Sequence, residues 1–358
     1  MVNDAYLLND LSLLSNHLAK HYTVVQLTKG STNEVYWAEA DEGATEPLFG
    51  HAHLPLSSPK AFFFPEQEPL YKFDGNTFET IQPEIKPIVL LGVQACDLTA
   101  IAYQDQFFRH DPYYQKRRNS VLLVGIDCEA PCENGFCPEV NAGPHVNSET
   151  SDLIVSRLNT YEQSNISQWL IVATSEKGAH SLQHIELEKA EKEHLKLRTK
   201  LGHKVRSKFA DFGYITNAIE YLNDNSIPAE LWEELSVRCL SCSGCTSLCP
   251  TCSCYSTFEV IEPEPAANTA RSGTAQSKTV RLWDSCLFES FQREASQHNP
   301  SSNAAQRVER FWFHKFSDEY LPQFNRYGCV GCGRCEQTCP GTIGVHSVMK
   351  RIDQVCCN

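Results

Sequence analysis

Two runs of cysteine in the last third of the chain share one spacing: Cys239-x2-Cys242-x2-Cys245-x3-Cys249-Pro250 and Cys329-x2-Cys332-x2-Cys335-x3-Cys339-Pro340. Two residues between ligands let a tight loop wrap three thiolates round one 4Fe-4S cubane. In this pattern the fourth cysteine, ahead of the proline, turns away to the other cluster. The pattern therefore assigns Cys239, Cys242, Cys245 and Cys339 to a first cluster, and Cys329, Cys332, Cys335 and Cys249 to a second. Gly244, Gly331 and Gly333 are expected to supply the unusual backbone angles such loops need. Zinc can also use four cysteines, but it has no use for a third and fourth at these spacings twice over. The chemistry on offer is one-electron transfer, with no bond made or broken on a substrate.

The chain has seventeen cysteines in all. A disulfide scaffold is the wrong account of them in a chain of 358 residues with no secretory signal, because reducing compartments keep thiols free. Cys96, Cys128, Cys132 and Cys137 lie in the N-terminal half. Cys96 follows one apolar stretch (PIVLLG, 87–92) and Cys128 follows another (SVLLVGI, 120–126), so neighbouring strands would bring both thiols to one sheet edge. Cys132 and Cys137 sit on a loop whose Pro131 and Gly135 favour a tight wrap. Together they are expected to hold a third 4Fe-4S cluster, with zinc as the chemical competitor. Cys252, Cys254 and Cys286 are expected to be buried small apolar residues, and Cys356 and Cys357 exposed thiols. His314 and His346 have no partner in the sequence and are expected to be structural, as are Trp283, Phe288, Phe311, Trp312 and Phe313, which can cover the clusters.

A net charge of −13 argues against nucleic acid as a partner. The longest apolar run, 88–93, is far short of the roughly 18 residues a membrane span needs, and the start lacks the basic end and apolar core of a signal peptide. A cytoplasmic protein is expected. Residues 1–22 are expected to form an amphipathic helix, 186–209 a long charged helix, and 24–27, 35–38, 87–92, 120–126, 152–155 and 169–172 strands, with helices over 97–107, 215–222 and 229–235. The fold class is α+β. A mixed α/β domain over 1–215 is followed by a two-cluster ferredoxin-like domain over 216–358, with a long insertion, 251–328, between its cysteine runs. Residues 263–278, rich in Pro, Ala, Ser and Thr, are expected to be a surface loop.

The segments GVQACDLTAI (92–101), CPTCSCYSTFEV (249–260), WDSCLFESF (283–291) and CVGCGRCEQTCP (329–340) resemble the iron-sulfur beta subunit of soluble sulfhydrogenases, the NAD(P)-linked nickel-iron hydrogenases. They are similar also to the homologous iron-sulfur subunit of anaerobic sulfite reductase. The resemblance implies a chain that relays electrons between a flavin- and NAD(P)-binding subunit and a separate catalytic module, the hydrogenase small and large subunits or a sulfite reductase catalytic subunit. In keeping with it, the chain has no Gly-rich dinucleotide fingerprint after a strand and no set of nickel ligands. The sulfite reductase relative is similar at 96, 128 and 137 but has its remaining cysteine at the place of Gly135. That leaves the fourth ligand of the third cluster open between Cys132 and the carboxylate of Asp97. A free-standing ferredoxin-like carrier is the alternative of another class, though over two hundred residues before the first run speak against it.

Overall fold

A computed structural model describes residues 4–40, 54–158, 168–261 and 276–357. The chain opens with strand β1 (Ala5–Leu8), then helix α1 (Leu11–Leu18), where one helix over 1–22 was expected. The apolar Tyr6-Leu7-Leu8 has a strand partner waiting, and Asp10 stops any helix from running through by accepting the Ser12 amide at 2.9 Å as an N-cap. There follow β2 (Thr23–Lys29), β3 (Val35–Glu39), β4 (Gln67–Phe73), β5 (Phe78–Thr80) and β6 (Ile88–Gln94). Helix α2 (Ala95–Phe107) starts directly at the end of β6, with no intervening turn. Next come α3 (Pro112–Ser120), β7 (Val121–Ile126), β8 (Leu153–Arg157), β9 (Trp169–Ala173) and α4 (Glu176–Ser181). The expected long helix over 186–209 is instead a short edge strand, β10 (Glu188–Lys189), and α5 (Lys192–Arg206), separated by a Glu191–His194 capping box.

These strands, β4 and β5 apart, build an eight-stranded sheet in the order β10-β1-β9-β8-β7-β6-β2-β3. Its centre is parallel, β2 beside β6 beside β7 beside β8. Parallel strands need apolar residues on both faces, and alternate residues of β6 and β7 feed two separate cores. Leu90, Val93, Val121 and Leu123 meet Phe63, Phe64, Leu98 and Ile101 on one side. Val89, Leu91, Leu122 and Val124 meet Leu11, Leu14 and Leu18 of α1 on the other.

Helices α6 (Gly213–Asn223) and α7 (Ala229–Arg238) lead into the first cysteine run, which contains the one-turn α8 (Gly244–Ser247). The insertion then forms the hairpin β11 (Tyr255–Ile261) and β12 (Ser277–Trp283), followed by α9 (Ala304–Phe316) and the short α10 (Leu321–Phe324). Of the loop expected over 263–278, residues 263–275 lie outside the described residues, and Ser277 and Lys278 belong to β12. The second run contains α11 (Arg334–Thr338), and α12 (Val345–Cys356) closes the chain. β12 pairs with β4, so the insertion and the N-terminal half share a four-stranded antiparallel sheet, β11-β12-β4-β5. Residues of α6, α7, α9 and α12, including Ile215, Trp232, Phe311, Trp312 and Met349, form a third core around the cysteines.

The shared sheet is held by buried charge. Arg281 on β12 faces Glu68 on β4 across the register, pairs with it and with Asp111, and Arg117 reaches the same Glu68. Arg281 and Glu68 are almost fully buried. Glu68→Ala leaves Arg117 without its carboxylate and the buried Arg281 with Asp111 alone, and is expected to cost about 3–5 kcal/mol. Anaerobic urea unfolding of wild type and variant measures the loss.

Candidate iron-sulfur centre

The two cysteine runs are near copies in three dimensions. Each has a left-handed residue at its third and fifth positions: Ser241 (φ 49°) and Ser243 (φ 62°) in the first, Gly331 (φ 63°) and Gly333 (φ 75°) in the second. The expectation for Gly244 is corrected, since it has no positive φ and opens α8, where a Cβ would come within 3.2 Å of Thr338 Oγ1 on α11. Serine tolerates the left-handed turn in the first run. Glycine is demanded in the second by a neighbour, because a Cβ on Gly331 would stand 2.6 Å from the Cys137 nitrogen and one on Gly333 2.2 Å from the Asn134 oxygen. The loop bearing Cys132 and Cys137 is thus packed hard against the second run, and the Phe136 amide donates to the Gly331 carbonyl at 2.8 Å.

Three sets of thiols emerge. Cys239, Cys242, Cys245 and Cys339 line one hollow, walled by Leu287, Val308, Phe311, Trp312 and Ile343. Burial, then the neighbouring Cys239 and Cys339, pushes the Cys245 thiol up to about 12. Burial likewise raises Cys335, followed by its neighbours Cys329, Cys332 and Cys249. Cys339 and Cys249 therefore each stand with the opposite run. Backbone amides point at the sulfurs: Gly331 donates to Cys329 Sγ at 3.3 Å and Ile343 to Cys339 Sγ at 3.4 Å.

The third set is set up by the sheet. Cys96 lies in the first turn of α2, just past β6, and Cys128 two residues past β7. Asp127 fixes the chain between them and the sheet: it accepts the Val146 amide at 2.8 Å and Arg198 Nε at 2.6 Å. Burial opposes its charge, but Arg198 holds the Asp127 carboxyl below the usual range. The thiol of Cys137, raised by burial, has Cys128, Cys132 and Cys332 as neighbours; that of Cys96, raised likewise, has Asp97, Cys137 and Cys332. Gly135 and Gly143 make room for these sulfurs, since added Cβ atoms would lie 2.3 Å from Cys132 Sγ and 2.9 Å from Cys137 Sγ. Asp97 is engaged elsewhere: Arg334 donates to both its oxygens, at 2.6 and 2.8 Å, and to the Pro55 carbonyl at 2.9 Å. Among the described residues no three Cys, His, Asp or Glu side chains close in to the spacing of a single metal ion.

The family described as 4Fe-4S dicluster domain matches residues 238–343. The chain is also similar to the sulfhydrogenase 2 subunit beta of Pyrococcus furiosus, with 27% identity over 290 residues, 80% of this chain and 79% of that protein. The dicluster domain contains the whole of both runs and the hairpin between them.

Several residues that matter here were missed in the sequence. Arg334, inside the second run, carried the signal of a lone charge between two cysteines, and it is 1% exposed. Lys60 and Lys315 carried none, yet both are buried, Lys60 against the dicluster stretch and Lys315 within it: Lys60 donates to the Ser247 and Cys252 carbonyls at 3.1 and 3.3 Å, and Lys315 to Thr251 Oγ1 at 3.0 Å. His346 is held by Tyr214 Oη at 2.7 Å and the Asn134 carbonyl at 2.9 Å, partners the sequence did not show. Cys252 and Cys286 are buried, Cys254 and Cys356 partly so, and Cys357 is exposed.

Two outcomes follow from this geometry. Cys249→Ala should damage the cluster of Cys329, Cys332 and Cys335 rather than that of its own run, and resolved EPR spectra of the reduced variant will show which signal is lost. Arg334→Met, which strands the Asp97 carboxylate, should destabilise the fold by about 3–5 kcal/mol, and adding Asp97→Leu should restore much of it. Denaturant midpoints of the two variants test that difference.

Proposed function

We propose that this chain is the electron-relay subunit of an oxidoreductase complex, a hydrogenase. The carrying observation is the order in which the thiol sets neighbour one another. The Cys96, Cys128, Cys132 and Cys137 set lies near the second cluster's ligands at Cys332. The second set reaches the first through Cys249, a neighbour of Cys245. When bound, 4Fe-4S clusters at these sites would supply one-electron steps. The protein's part is to place the three ligand sets in a row, to aim the Gly331 and Ile343 amides at sulfur, and to exclude water with Phe136, Phe311 and Trp312, all buried. Cys242 is exposed, which puts the first set at the protein surface, where electrons can pass to or from another subunit.

Within this reading Cys96, Cys128, Cys132 and Cys137 hold a third cluster, Cys132 supplying the fourth ligand because Asp97 is bound by Arg334. The partners are a flavin- and NAD(P)-binding subunit and the small and large subunits of a nickel-iron hydrogenase. A relative named as a subunit of a sulfhydrogenase supports this. No helix among the described residues is long and apolar enough to cross a membrane.

Anaerobic purification of the chain from its native cell tests the proposal. Flavin and nickel-iron subunits should come with it; a sirohaem subunit would instead indicate a sulfite reductase, and the chain alone a free carrier. Isolated, it should accept electrons from dithionite, yet neither oxidise NADPH nor consume hydrogen. Iron should number about twelve per chain, the four-iron stoichiometry three times over. About eight irons, with or without one zinc, would end the claim for the third cluster.

A further inference from the structure

Helix α5 lies on the surface with little of it covered: of its fifteen residues only Gly202 and Val205 are buried. Three contacts hold it down. Arg198 donates to the Asp127 carboxylate, from Nε at 2.6 Å and Nη2 at 3.0 Å. Gly202 admits the His145 ring, which any Cβ there would overlap. Arg206 Nη2 donates to the Pro138 carbonyl at 3.1 Å. Asp127 precedes Cys128 and Pro138 follows Cys137, so the helix is fastened beside two thiols of the third set. A hollow of about 120 Å³ separates them in part, lined by Cys128 on one side and by Arg198, Lys204 and Lys208 on the other.

The outer side of this helix has one sign. Lys192, Lys196, Lys200, Lys204 and Lys208 recur every four residues and are all exposed. That spacing stacks them in a row along the helix, about 24 Å long at 1.5 Å per residue. Residues 192–208 carry seven Lys and Arg against the one Glu193, in a chain whose net charge is −13. Among the described residues Lys196 alone of the five has a carboxylate, Glu193 at 3.7 Å. Like charges four residues apart weaken a helix, and a merely solvated face alternates its signs. A row of one sign suits an opposing surface of the other. Leu195 and Leu197 are the only large exposed apolar residues on α5, too few for a helix that lies in a bilayer. The acidity of the rest of the chain repels nucleic acid. An acidic protein surface is the match that remains.

We propose that the lysine row of α5 is the docking surface for an acidic face of the protein subunit that exchanges electrons with the third thiol set. This rests on the relay reading, in which Cys96, Cys128, Cys132 and Cys137 are one end of the row of sets. Each crossing moves one electron between partner and chain, with no bond made or broken. The other end, at the exposed Cys242, has an apolar border instead, for Val237 and Leu240 beside it are 85% and 68% exposed. The two ends thus offer unlike surfaces, and each takes its own partner. At the α5 end long-range attraction orients the encounter before contact, and carboxylates opposite Lys204 and Lys208 set the partner over the hollow next to Cys128.

The test uses the complex purified anaerobically from its native cell and treated with a water-soluble carbodiimide, which joins an ammonium group to a carboxylate in contact with it. Peptide mass mapping should find Lys200, Lys204 or Lys208 joined to an Asp or Glu of a copurifying subunit. The same lysines should resist acetylation in the complex and accept it in the isolated chain. The triple variant Lys200→Glu, Lys204→Glu, Lys208→Glu should recover that subunit at least tenfold less. The charge-matched control Lys20→Glu, Lys29→Glu, Lys86→Glu should recover it as wild type does, with iron content and far-UV circular dichroism unchanged in both. Full acetylation of the row in a complex that holds its other subunits would overturn the proposal, as would cross-links only to a second copy of this chain. Equal loss of the subunit in the control would overturn it too, by assigning the effect to net charge. So would cosedimentation of the wild-type chain with phosphatidylglycerol vesicles that the triple variant loses, which gives the row to a membrane. If the triple variant loses iron, the wild-type cross-link and acetylation maps decide. A chain that purifies alone, or with fewer than about eight irons, would instead overturn the relay reading, and the docking surface with it.

Discussion

One buried ion pair holds the site together. Asp97 and Arg334 are each 1% exposed, joined by two hydrogen bonds, with the third guanidinium edge on the Pro55 carbonyl. Asp97 follows Cys96 on α2, whose place is fixed by the parallel sheet, and Arg334 lies between Cys332 and Cys335 of the dicluster domain. Charges so deep are costly unless matched, and a bidentate carboxylate–guanidinium geometry is the best match available. The pair is therefore weak evidence for stability and strong evidence for register. It allows one docking of the second cysteine run on the sheet edge. The contact of Gly331 and Gly333 with the Asn134–Cys137 backbone and the neighbourhood of Cys332 to Cys96 and Cys137 are consistent with that docking.

A second set of buried charges explains why the insertion is long. A compact two-cluster domain has no need of 251–328, but here its hairpin extends the sheet of β4 and β5 through Arg281, Glu68, Asp111 and Arg117. Its helix α9 then returns over the hollow lined by Cys239, Cys242, Cys245 and Cys339 with Val308, Phe311 and Trp312. The insertion is clamp and cover at once. The two ion networks fasten the cluster region to the N-terminal half at separate points, so neither half presents its inner face to water.

The cysteine runs were legible because their spacing is itself the ligand geometry, and the strands β6 and β7 because parallel strands buried on both faces leave unbroken apolar runs. The third thiol set was legible for the same reason, since those two strands end at Cys96 and Cys128. Elsewhere local pattern misled. Tyr6 to Leu8 fits a helical stripe as well as a strand, and the antiparallel partner that decides it, Trp169–Ala173, is about 160 residues away by sequence count. Gly244 was the obvious candidate for a left-handed turn, whereas Ser241 and Ser243 make it, because the symmetry of the two runs outweighs residue preference. Lys60 was unreadable, since nothing in Ser58-Pro59-Lys60 announces a charge that ends against Cys252.

The distribution of charge gives the site its electrical character. The chain as a whole carries −13, which should oppose adding electrons to any centre within it. Around the cysteines the sign reverses: Lys60, Lys315 and Arg307 are buried there with carbonyls for partners, and Arg326 donates to the Val140 carbonyl near Cys329. Screening by solvent removes most of the effect of surface carboxylates more than about 10 Å away, and leaves that of buried ammonium groups nearly intact. The local cations therefore decide. They favour the more negative, reduced state of whatever the thiolates hold, most of all on the side of Cys249, where Lys315 lies closest. Arg334 is neutralised by Asp97 and adds little at the third set.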